Sequence, residues 1–172
     1  KCNEVKIAED GEILVKGENV MLGYWKNEEE TKKVLKNGWL YTGDIGIFEN
    51  EYLKITDRKK DIIVNAGGDN ISPAKVENIL QNSEAIEQCM VYGDKKNYLV
   101  ALIVPSREFK GNRDKIEEIV KNINKSLTLI EKVKKFRLIE DSFTIENGLL
   151  TPTMKIKRNK VVSKYKNILE NL

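Results

Sequence analysis

The stretch DRKKDIIVNAGGDNISPAKVE, residues 57–77, decides the fold because it joins a charged turn, an apolar strand, a glycine pair and a helix start. Ser72 is a suitable N-cap for that helix, and Pro73 suits its first turn, where the missing N–H of proline removes an unpaired donor. Ile71 and Val76 stand at the positions of a hydrophobic staple. A backbone of this kind can bend at one end and approach a ligand closely at the other.

The residues that follow predict a compact α+β unit. The helix after Ser72 presents Val76, Ile79 and Leu80 on one face, and the apolar segment 98–104 predicts a central buried strand. We expect two or three helices to pack against a three-stranded sheet. The other predicted elements are strands over 86–92 and 136–139 and a helix with apolar positions Ile116, Ile119, Val120, Ile123 and Leu127.

The residues before the stretch predict mostly β structure. A strand over 12–16 follows a turn at Asp10-Gly11, and a helix over 28–35 is predicted to end at Asn37-Gly38. Three short strands are expected next, over 39–44, 45–48 and 52–56, with Gly46 and Asn50 as the residues that break the β structure.

The size of this β-rich segment predicts two domains. A segment of fewer than about 60 residues struggles to bury the faces of its own sheet. We therefore expect residues 1–57 to be the incomplete end of a larger N-terminal domain, and residues 58–172 to form a C-terminal domain. Because no leader precedes Lys1, we interpret the chain as a fragment.

Composition excludes several classes of protein. Of 172 residues, 33% are charged and 40% hydrophobic, which is typical of a globular domain. No transmembrane segment is expected, because the longest apolar run ends at Pro105 and is far shorter than the roughly 18 residues that a span needs. The absence of histidine excludes a His-based catalytic triad, and no metal ligands are predicted. Two distant cysteines, Cys2 and Cys89, favour a reducing, cytoplasmic location.

Charge is distributed unevenly along the chain. Residues 1–109 hold 15 Lys+Arg and 19 Asp+Glu, whereas residues 110–172 hold 15 and 8. This basic third suits a polyanionic partner, which could be a nucleotide, coenzyme A, nucleic acid or an anionic membrane surface. Lysines that simply solvate helix faces explain the same pattern.

Three stretches together resemble the adenylate-forming (AMP-binding) superfamily, which includes acyl-CoA synthetases, peptide-synthetase adenylation domains and luciferases. They are YTGD at 41–44, residues 57–77, and LTPTMKIKR at 150–158. The resemblance implies a small C-terminal lid domain with a hinge at its start, preceded by a β-rich strip. Residues 143–153, with Lys164-Tyr165, are similar to the ending of bacterial long-chain fatty acyl-CoA synthetases. Met154 departs from the Gly-Lys pair that is usual in peptide-synthetase domains.

The resemblance also implies roles near the hinge. Asp44 follows a turn and would accept hydrogen bonds from the ribose hydroxyls of ATP, although an aspartate in a β-turn is more often structural. Arg58 would contact the ribose or phosphates of the nucleotide with its fork of donors, and a surface position is its ordinary alternative. Lys60 falls at the hinge, where only its backbone torsions need to change.

Two further loops complete the implied site. Ala66, Gly67, Gly68 and Asp69 would approach the pantetheine arm of coenzyme A, because glycine leaves room in a narrow channel. Lys155 is the predicted catalytic residue, since one ammonium can bridge a carboxylate and the α-phosphate that it attacks. The remaining basic residues of this segment are expected to form a solvated or phosphate-facing patch, namely Lys157, Arg158 and Lys160.

The sequence therefore predicts the C-terminal part of an ATP-dependent long-chain fatty acid–CoA ligase. The full enzyme would use fatty acid, ATP, Mg²⁺ and coenzyme A, act with its own N-terminal domain, and have peripheral membrane contact as an open possibility; the fragment alone should be inactive. Two alternatives stay open. One is an enzyme that adenylates an aryl, short-chain or amino acid. The other is a basic α+β nucleic-acid-binding module, and the small number of aromatic residues in the basic third argues against it.

Overall fold

The computed structural model describes residues 3–172, and these residues form two compact units that meet in the sequence after Lys60. Unit 1 ends at Lys60, and unit 2 spans Asp61–Leu172. Lys1 and Cys2 lie outside the described residues, so the expectations that concern them stay predictions.

Unit 1 is a five-stranded antiparallel sheet with one helix. The long fourth strand is its centre, because it pairs with the second, third and fifth strands, and the first strand pairs with the second. The elements are β1 (Glu4–Ile7), β2 (Glu12–Lys16), α1 (Glu28–Val34), β3 (Leu35–Lys36), β4 (Trp39–Glu49) and β5 (Tyr52–Arg58).

The prediction that Asn37-Gly38 ends the helix is wrong. Helix α1 ends at Val34, and Leu35 already has extended torsions. Asn37 and Gly38 have φ values of +52° and +79° and form the two-residue loop of the β3–β4 hairpin. Two consecutive positive φ values are the mark of a type I′ turn, for which Asn-Gly is the favoured pair. The dipeptide therefore encodes a hairpin, not a helix terminus.

The prediction that Gly46 breaks a strand is also wrong. Strand β4 runs through Gly46, and the register of its pairing with β5 shifts there, which indicates a β-bulge. A Cβ at this position would lie 2.6 Å from Cδ1 of Ile13 and 2.7 Å from the carbonyl oxygen of Lys54. Glycine is required here because neighbouring atoms come too close for any side chain.

Unit 2 is an α+β fold with a three-stranded sheet at its centre, as predicted. It has four α-helices rather than two or three, and a small hairpin at its start that was not predicted. The sheet order is β10-β9-β8, with β8 antiparallel and β10 parallel to β9. The elements are β6 (Ile63–Val64), β7 (Asn70–Ile71), α2 (Pro73–Gln81), β8 (Ile86–Tyr92), β9 (Leu99–Pro105), α3 (Arg113–Ile123), β10 (Val133–Leu138), α4 (Arg158–Lys164) and α5 (Lys166–Asn171).

The central sheet of unit 2 has a hydrophobic core on each face. All seven residues of β9 are buried, and successive side chains point to opposite faces of a strand. One core contains Ala101 and Ile103 together with residues of α2 and α3. The other contains Val100 and Leu102 together with Val161 of α4 and Leu169 of α5. A strand that is buried on both faces has to be apolar throughout, which confirms the prediction for this segment.

The start of α2 confirms the predicted cap. The side-chain oxygen of Ser72 accepts a hydrogen bond from the backbone N–H of Lys75, and Pro73 occupies the first turn. Ile71 and Val76 are both buried in the same core, as a hydrophobic staple requires. Leu127 is also buried but lies beyond the end of α3 at Ile123, so the predicted helix is shorter than its apolar pattern.

Cys89 of β8 is fully buried, and burial raises the pKa of its thiol well above the ordinary range. The thiol therefore stays protonated and behaves as a small hydrophobic side chain. None of the helices within residues 3–172 has the length and apolar character that crossing a bilayer requires.

Candidate functional site

The Asp44 turn, residues 42–44, lies within β4 and is held by bonds to β2. Gly43 has a φ of +71°, and its N–H donates to Oε1 of Glu12 at 2.8 Å. The hydroxyl of Thr42 donates to the carbonyl oxygen of Ile13 at 2.7 Å and accepts from the N–H of Asp44 at 3.1 Å. The position of the Asp44 carboxylate is therefore fixed by residues about thirty positions earlier in the chain.

Asp44 and Arg58 lie side by side. They are paired positions of β4 and β5, and Nε of Arg58 is 2.8 Å from Oδ1 of Asp44. The arginine side chain is 56% exposed and the aspartate 25%, so solvent screening keeps the ion pair itself weak. The structure thus brings the two predicted nucleotide-binding residues together, with the guanidinium beside the carboxylate.

A cleft of about 630 Å³ opens in unit 1 at the Asp44 turn. Its wall combines a carboxylate that can accept two hydroxyl groups with ammonium groups that suit phosphates, and with tyrosine rings. Two of these ammonium groups are already paired, Lys33 with Glu30 and Lys59 with Asp10 and Glu12. The lining includes Tyr24, Lys33, Lys36, Tyr41, Asp44 and Lys59.

Lys60 lies in the short 3₁₀ turn Lys59–Asp61, and unit 1 ends at this residue. Its side chain is exposed, and within residues 3–172 the structure records no hydrogen bond or ion pair for it. A hinge needs a residue whose backbone torsions can change without the loss of packing. Lys60 meets that requirement, and its hinge role stays a prediction.

The glycine loop, residues 65–69, joins β6 to β7 and is exposed at Ala66, Gly67, Gly68 and Asp69. The N–H of Asp69 donates to Oδ1 of Asn65 at 2.8 Å, and Nδ2 of Asn65 donates to Asp69 at 2.9 Å. Gly68 has a φ of +85° and open space where a Cβ would stand. Backbone conformation, and not close packing, therefore requires glycine at this position. The predicted contact with coenzyme A is not tested by these contacts.

The Lys155 hairpin, residues 150–156, is closed by an antiparallel bridge between Leu150 and Ile156. The N–H of Thr151 donates to the carbonyl oxygen of Lys155 at 2.8 Å, and the N–H of Lys155 donates to Oγ1 of Thr151 at 3.0 Å. Met154 completes the turn with a φ of +62°, a left-handed conformation that is unusual for methionine. All of these bonds are local, so the tip of the hairpin is fixed by its own residues.

The side chain of Lys155 is exposed at the tip of this hairpin. Within residues 3–172 the structure records no hydrogen bond or ion pair for its ammonium group. Its neighbour Met154 is 65% exposed. The structure thus leaves the ammonium free to meet an anionic ligand, which is the property that the predicted catalytic role needs.

The prediction that Arg158 belongs to a solvated or phosphate-facing patch is wrong. Its side chain is only 19% exposed, and Nη2 forms an ion pair with the buried carboxylate of Glu77 in α2. Nη1 of Arg158 donates to the carbonyl oxygen of Val91 at 3.3 Å, and the N–H of Val91 donates to Oε1 of Glu77 at 2.7 Å. A charge buried to this extent needs a partner, and Glu77 supplies it. Arg158 therefore fixes the end of the Lys155 hairpin to the core of unit 2.

Sequence reasoning missed three residues that hold the site together, namely Glu12, Lys59 and Glu77. Each is one charged residue among many, and no local pattern distinguishes a buried carboxylate from an exposed one. The position of Glu77 on the apolar face of α2, one residue after Val76, is the only signal that the sequence offered.

Within residues 3–172 there is no group of three or more Cys, His, Asp or Glu side chains that could hold a metal ion.

Family comparison agrees with the position of the unit boundary. The family model of the AMP-binding enzyme C-terminal domain matches residues 60–172. The chain belongs to this family. Arg158, Glu77 and Lys155 all lie within the matched C-terminal domain.

The similar curated proteins are fatty acid ligases. FadD15, the long-chain-fatty-acid–CoA ligase of Mycobacterium tuberculosis, is 40% identical over 191 residues, which cover 98% of this chain and 32% of that protein. Long-chain-fatty-acid–CoA ligase 6 of Rattus norvegicus is 37% identical over 207 residues, covering 99% of this chain and 30% of that protein. The chain thus spans about a third of the length of the curated relatives that it matches.

Solved structures share the fold. The adenylation domain of carboxylic acid reductase from Segniliparus rugosus, solved with AMP and a co-purified carboxylic acid, has a TM-score of 0.88 and 26% identity. The match covers 99% of this chain and 31% of that one. The likeness includes the strands of unit 1 as well as the C-terminal domain.

Proposed function

We propose that this chain is the C-terminal part of an acyl-CoA ligase that activates a long-chain fatty acid as an acyl adenylate and transfers it to coenzyme A. The observation that carries the proposal is the exposed ammonium of Lys155, which has no recorded partner among residues 3–172 and lies at the tip of a locally hydrogen-bonded hairpin. The length and similarity of the relatives support a larger protein whose N-terminal domain continues into residues 1–57. Residues 58–172 then form the mobile C-terminal domain.

The roles follow from charge and geometry. The Asp44 carboxylate accepts the ribose hydroxyls of ATP, and Arg58 contacts the ribose or phosphates beside it. Lys155 stabilises the negative charge that develops as the carboxylate of the acid attacks the α-phosphate. Backbone rotation at Lys60 then withdraws Lys155 and brings the glycine loop to the pantetheine arm.

The two half-reactions test the role of Lys155 in the full-length protein. We expect Lys155→Ala to slow adenylate formation about 100-fold to 1,000-fold, because one donor to the developing charge is lost. Thioester formation from supplied acyl adenylate should be spared. Lys160→Ala, which removes another exposed lysine from the same segment, is the matched control and should change neither rate. Equal loss of both half-reactions in Lys155→Ala would remove Lys155 from the proposed role.

Lys60→Pro should show the reverse pattern. Proline restricts the torsions of residues 59 and 60, so adenylation is retained while transfer to coenzyme A slows. Lys60→Ala removes the side chain without this restriction and should leave transfer intact. If Lys60→Pro transfers the acyl group as fast as the wild type, the hinge lies elsewhere.

The identity of the acid needs its own measurement. The chain shares its fold with adenylating enzymes that act on different carboxylic acids. Pyrophosphate exchange with long-chain, short-chain, aryl and amino acids should be fastest with the long-chain fatty acids. Faster exchange with another class would retain the enzyme class and change the substrate.

A further inference from the structure

Three segments that are far apart in the chain meet beside the Asp44 turn. They are the turn before β2, the Asp44 turn itself, and the residue that precedes Lys60. The contacts all lie within unit 1, and they join the proposed ribose-binding carboxylate to the proposed hinge.

Glu12 is the residue on which these contacts converge. It is only 4% exposed, although a carboxylate has to be paired or hydrogen-bonded to be buried. Its Oε1 accepts the N–H of Gly43 at 2.8 Å, and its Oε2 lies 2.8 Å from Nζ of Lys59. Glu12 therefore uses one oxygen for the Asp44 turn and the other for the residue next to the hinge.

Asp10 completes the arrangement at its solvent side. Its Oδ1 accepts the N–H of Glu12 at 3.1 Å, and its Oδ2 lies 2.6 Å from Nζ of Lys59. The hydrogen bond from Lys59 lowers the pKa of Asp10, and the bonds to Asp10 and Glu12 raise the pKa of Lys59 against the effect of burial. Lys59 lines the cleft, but its ammonium is already bound by two carboxylates, which distinguishes it from Lys155.

We propose that Glu12 is a positioning residue for Asp44, and that Lys59 holds Glu12 in place through its second carboxylate oxygen. The inference rests on the proposed function, because it assigns Asp44 to the ribose. Both carboxylate oxygens of Glu12 already have partners within unit 1. It fixes the backbone of Gly43, and through it the direction in which the Asp44 carboxylate points.

The preference of the enzyme for an intact ribose tests this role, because a residue that only stabilises the fold would not change that preference. In the full-length protein, pyrophosphate exchange is measured with ATP, 2′-deoxyATP and 3′-deoxyATP, and the ratio of kcat/KM values gives the preference for an intact ribose. Asp44→Ala is the reference and should abolish the preference. Glu12→Ala should lower it about tenfold, which corresponds to one hydrogen bond to a charged acceptor.

Two conservative variants separate the two contacts of Glu12. Glu12→Gln keeps an oxygen for the N–H of Gly43 and loses the charge beside Lys59, so the preference should fall only about threefold. Lys59→Met should do the same. Because both variants remove one shared contact, the double variant should be no worse than either alone. Lys54→Met breaks the exposed ion pair with Glu49 in the same sheet and should leave the preference unchanged.

The outcomes are distinguishable. If Asp44→Ala loses the preference and Glu12→Ala keeps it, or loses rate equally for all three nucleotides, the positioning role is overturned. If Glu12→Ala does not fold, an unchanged preference in both Glu12→Gln and Lys59→Met overturns it. If the wild type catalyses pyrophosphate exchange with none of the acids tested, or if Asp44→Ala retains the preference for an intact ribose, the proposed function fails and this inference fails with it.

Discussion

The Asp44 turn and the Lys155 hairpin each present one charged side chain, but they are held in opposite ways. The Asp44 turn is fixed by bonds to Glu12 and Ile13, about thirty residues away, and its carboxylate is partly buried. The hydrogen bonds that fix the Lys155 hairpin span at most six residues, and its ammonium is exposed. A group that binds in one place gains from a rigid surrounding sheet. A group that has to enter and leave a site gains from a small loop that keeps its own shape.

The largest expected effect concerns the buried ion pair between Arg158, which follows the hairpin, and Glu77. Glu77→Ala should destabilise unit 2 by about 3–5 kcal/mol, because the guanidinium is left buried and uncompensated. Hydrogen exchange of the β9 amides measures this, since both tryptophans, Trp25 and Trp39, lie in unit 1. Glu49→Ala, which breaks an exposed ion pair, is the control and should cost less than about 1 kcal/mol. Equal losses of stability in the two variants would mean that the pair between Arg158 and Glu77 contributes no more than an exposed ion pair.

The next effect tests how closely the sheet around the Asp44 turn is packed. Gly46→Ala should destabilise unit 1 by about 1–3 kcal/mol, because the new Cβ would stand against Ile13 and the backbone of Lys54. The fluorescence of Trp39 during urea unfolding follows this unit. A change below about 0.5 kcal/mol would show that the β-bulge can relax, and that the sheet is less rigid than the comparison requires.

A smaller effect, of opposite sign, is expected in the Lys155 hairpin. The left-handed conformation at Met154 costs a non-glycine residue about 1–2 kcal/mol, and Met154→Gly removes that cost. The greater freedom of glycine in the unfolded chain cancels part of this gain in stability. We expect a stabilisation of about 0.5 kcal/mol in thermal unfolding. Gly148→Ala places a Cβ at a φ of +74° with open space around it and should destabilise by about 1 kcal/mol. If Met154→Gly destabilises the protein, the methionine side chain makes a contribution that its exposure hides.

The smallest effect is a dependence of stability on pH, which comes from Asp10 near the Asp44 turn. Because Lys59 lowers the pKa of Asp10, the stabilisation by Asp10 is present above its unfolded value of 3.8 and is lost as pH falls through the lower folded value. Asp10→Asn should therefore be less stable than the wild type at pH 7 and equal to it in stronger acid. Urea unfolding at pH 7 and pH 3 compares them. A difference that persists unchanged at the lower pH would assign the loss to packing.

Local patterns predicted the parts of the fold that depend on neighbouring residues. The cap at Ser72 and the apolar strand β9 are encoded within a few residues, and both are confirmed. The family resemblance identified Asp44 and Arg58, and pairing of β4 with β5 brings them together. Asn37-Gly38 was misread because the same dipeptide suits a helix end and a type I′ hairpin, and only the strands on either side decide between them.

The sequence could not reveal contacts between distant segments. Arg158 follows two lysines and reads as one more surface cation, yet Glu77, 81 positions earlier, draws it into the core. Glu12 is buried because Gly43 and Lys59 both meet it, which depends on the register of three strands. Pair interactions of this kind leave no trace in the periodicity of either segment.

Cys89 gives unit 2 a built-in chemical reporter. Its thiol lies between the sheet and α2 and does not ionise while the unit is closed, so alkylating reagents can reach it only after β8 separates from its neighbours. In a protein whose other cysteines are replaced, the rate of alkylation would count those openings directly. Comparison of that rate with and without nucleotide would tell whether ligand binding tightens the C-terminal domain itself or only changes its orientation.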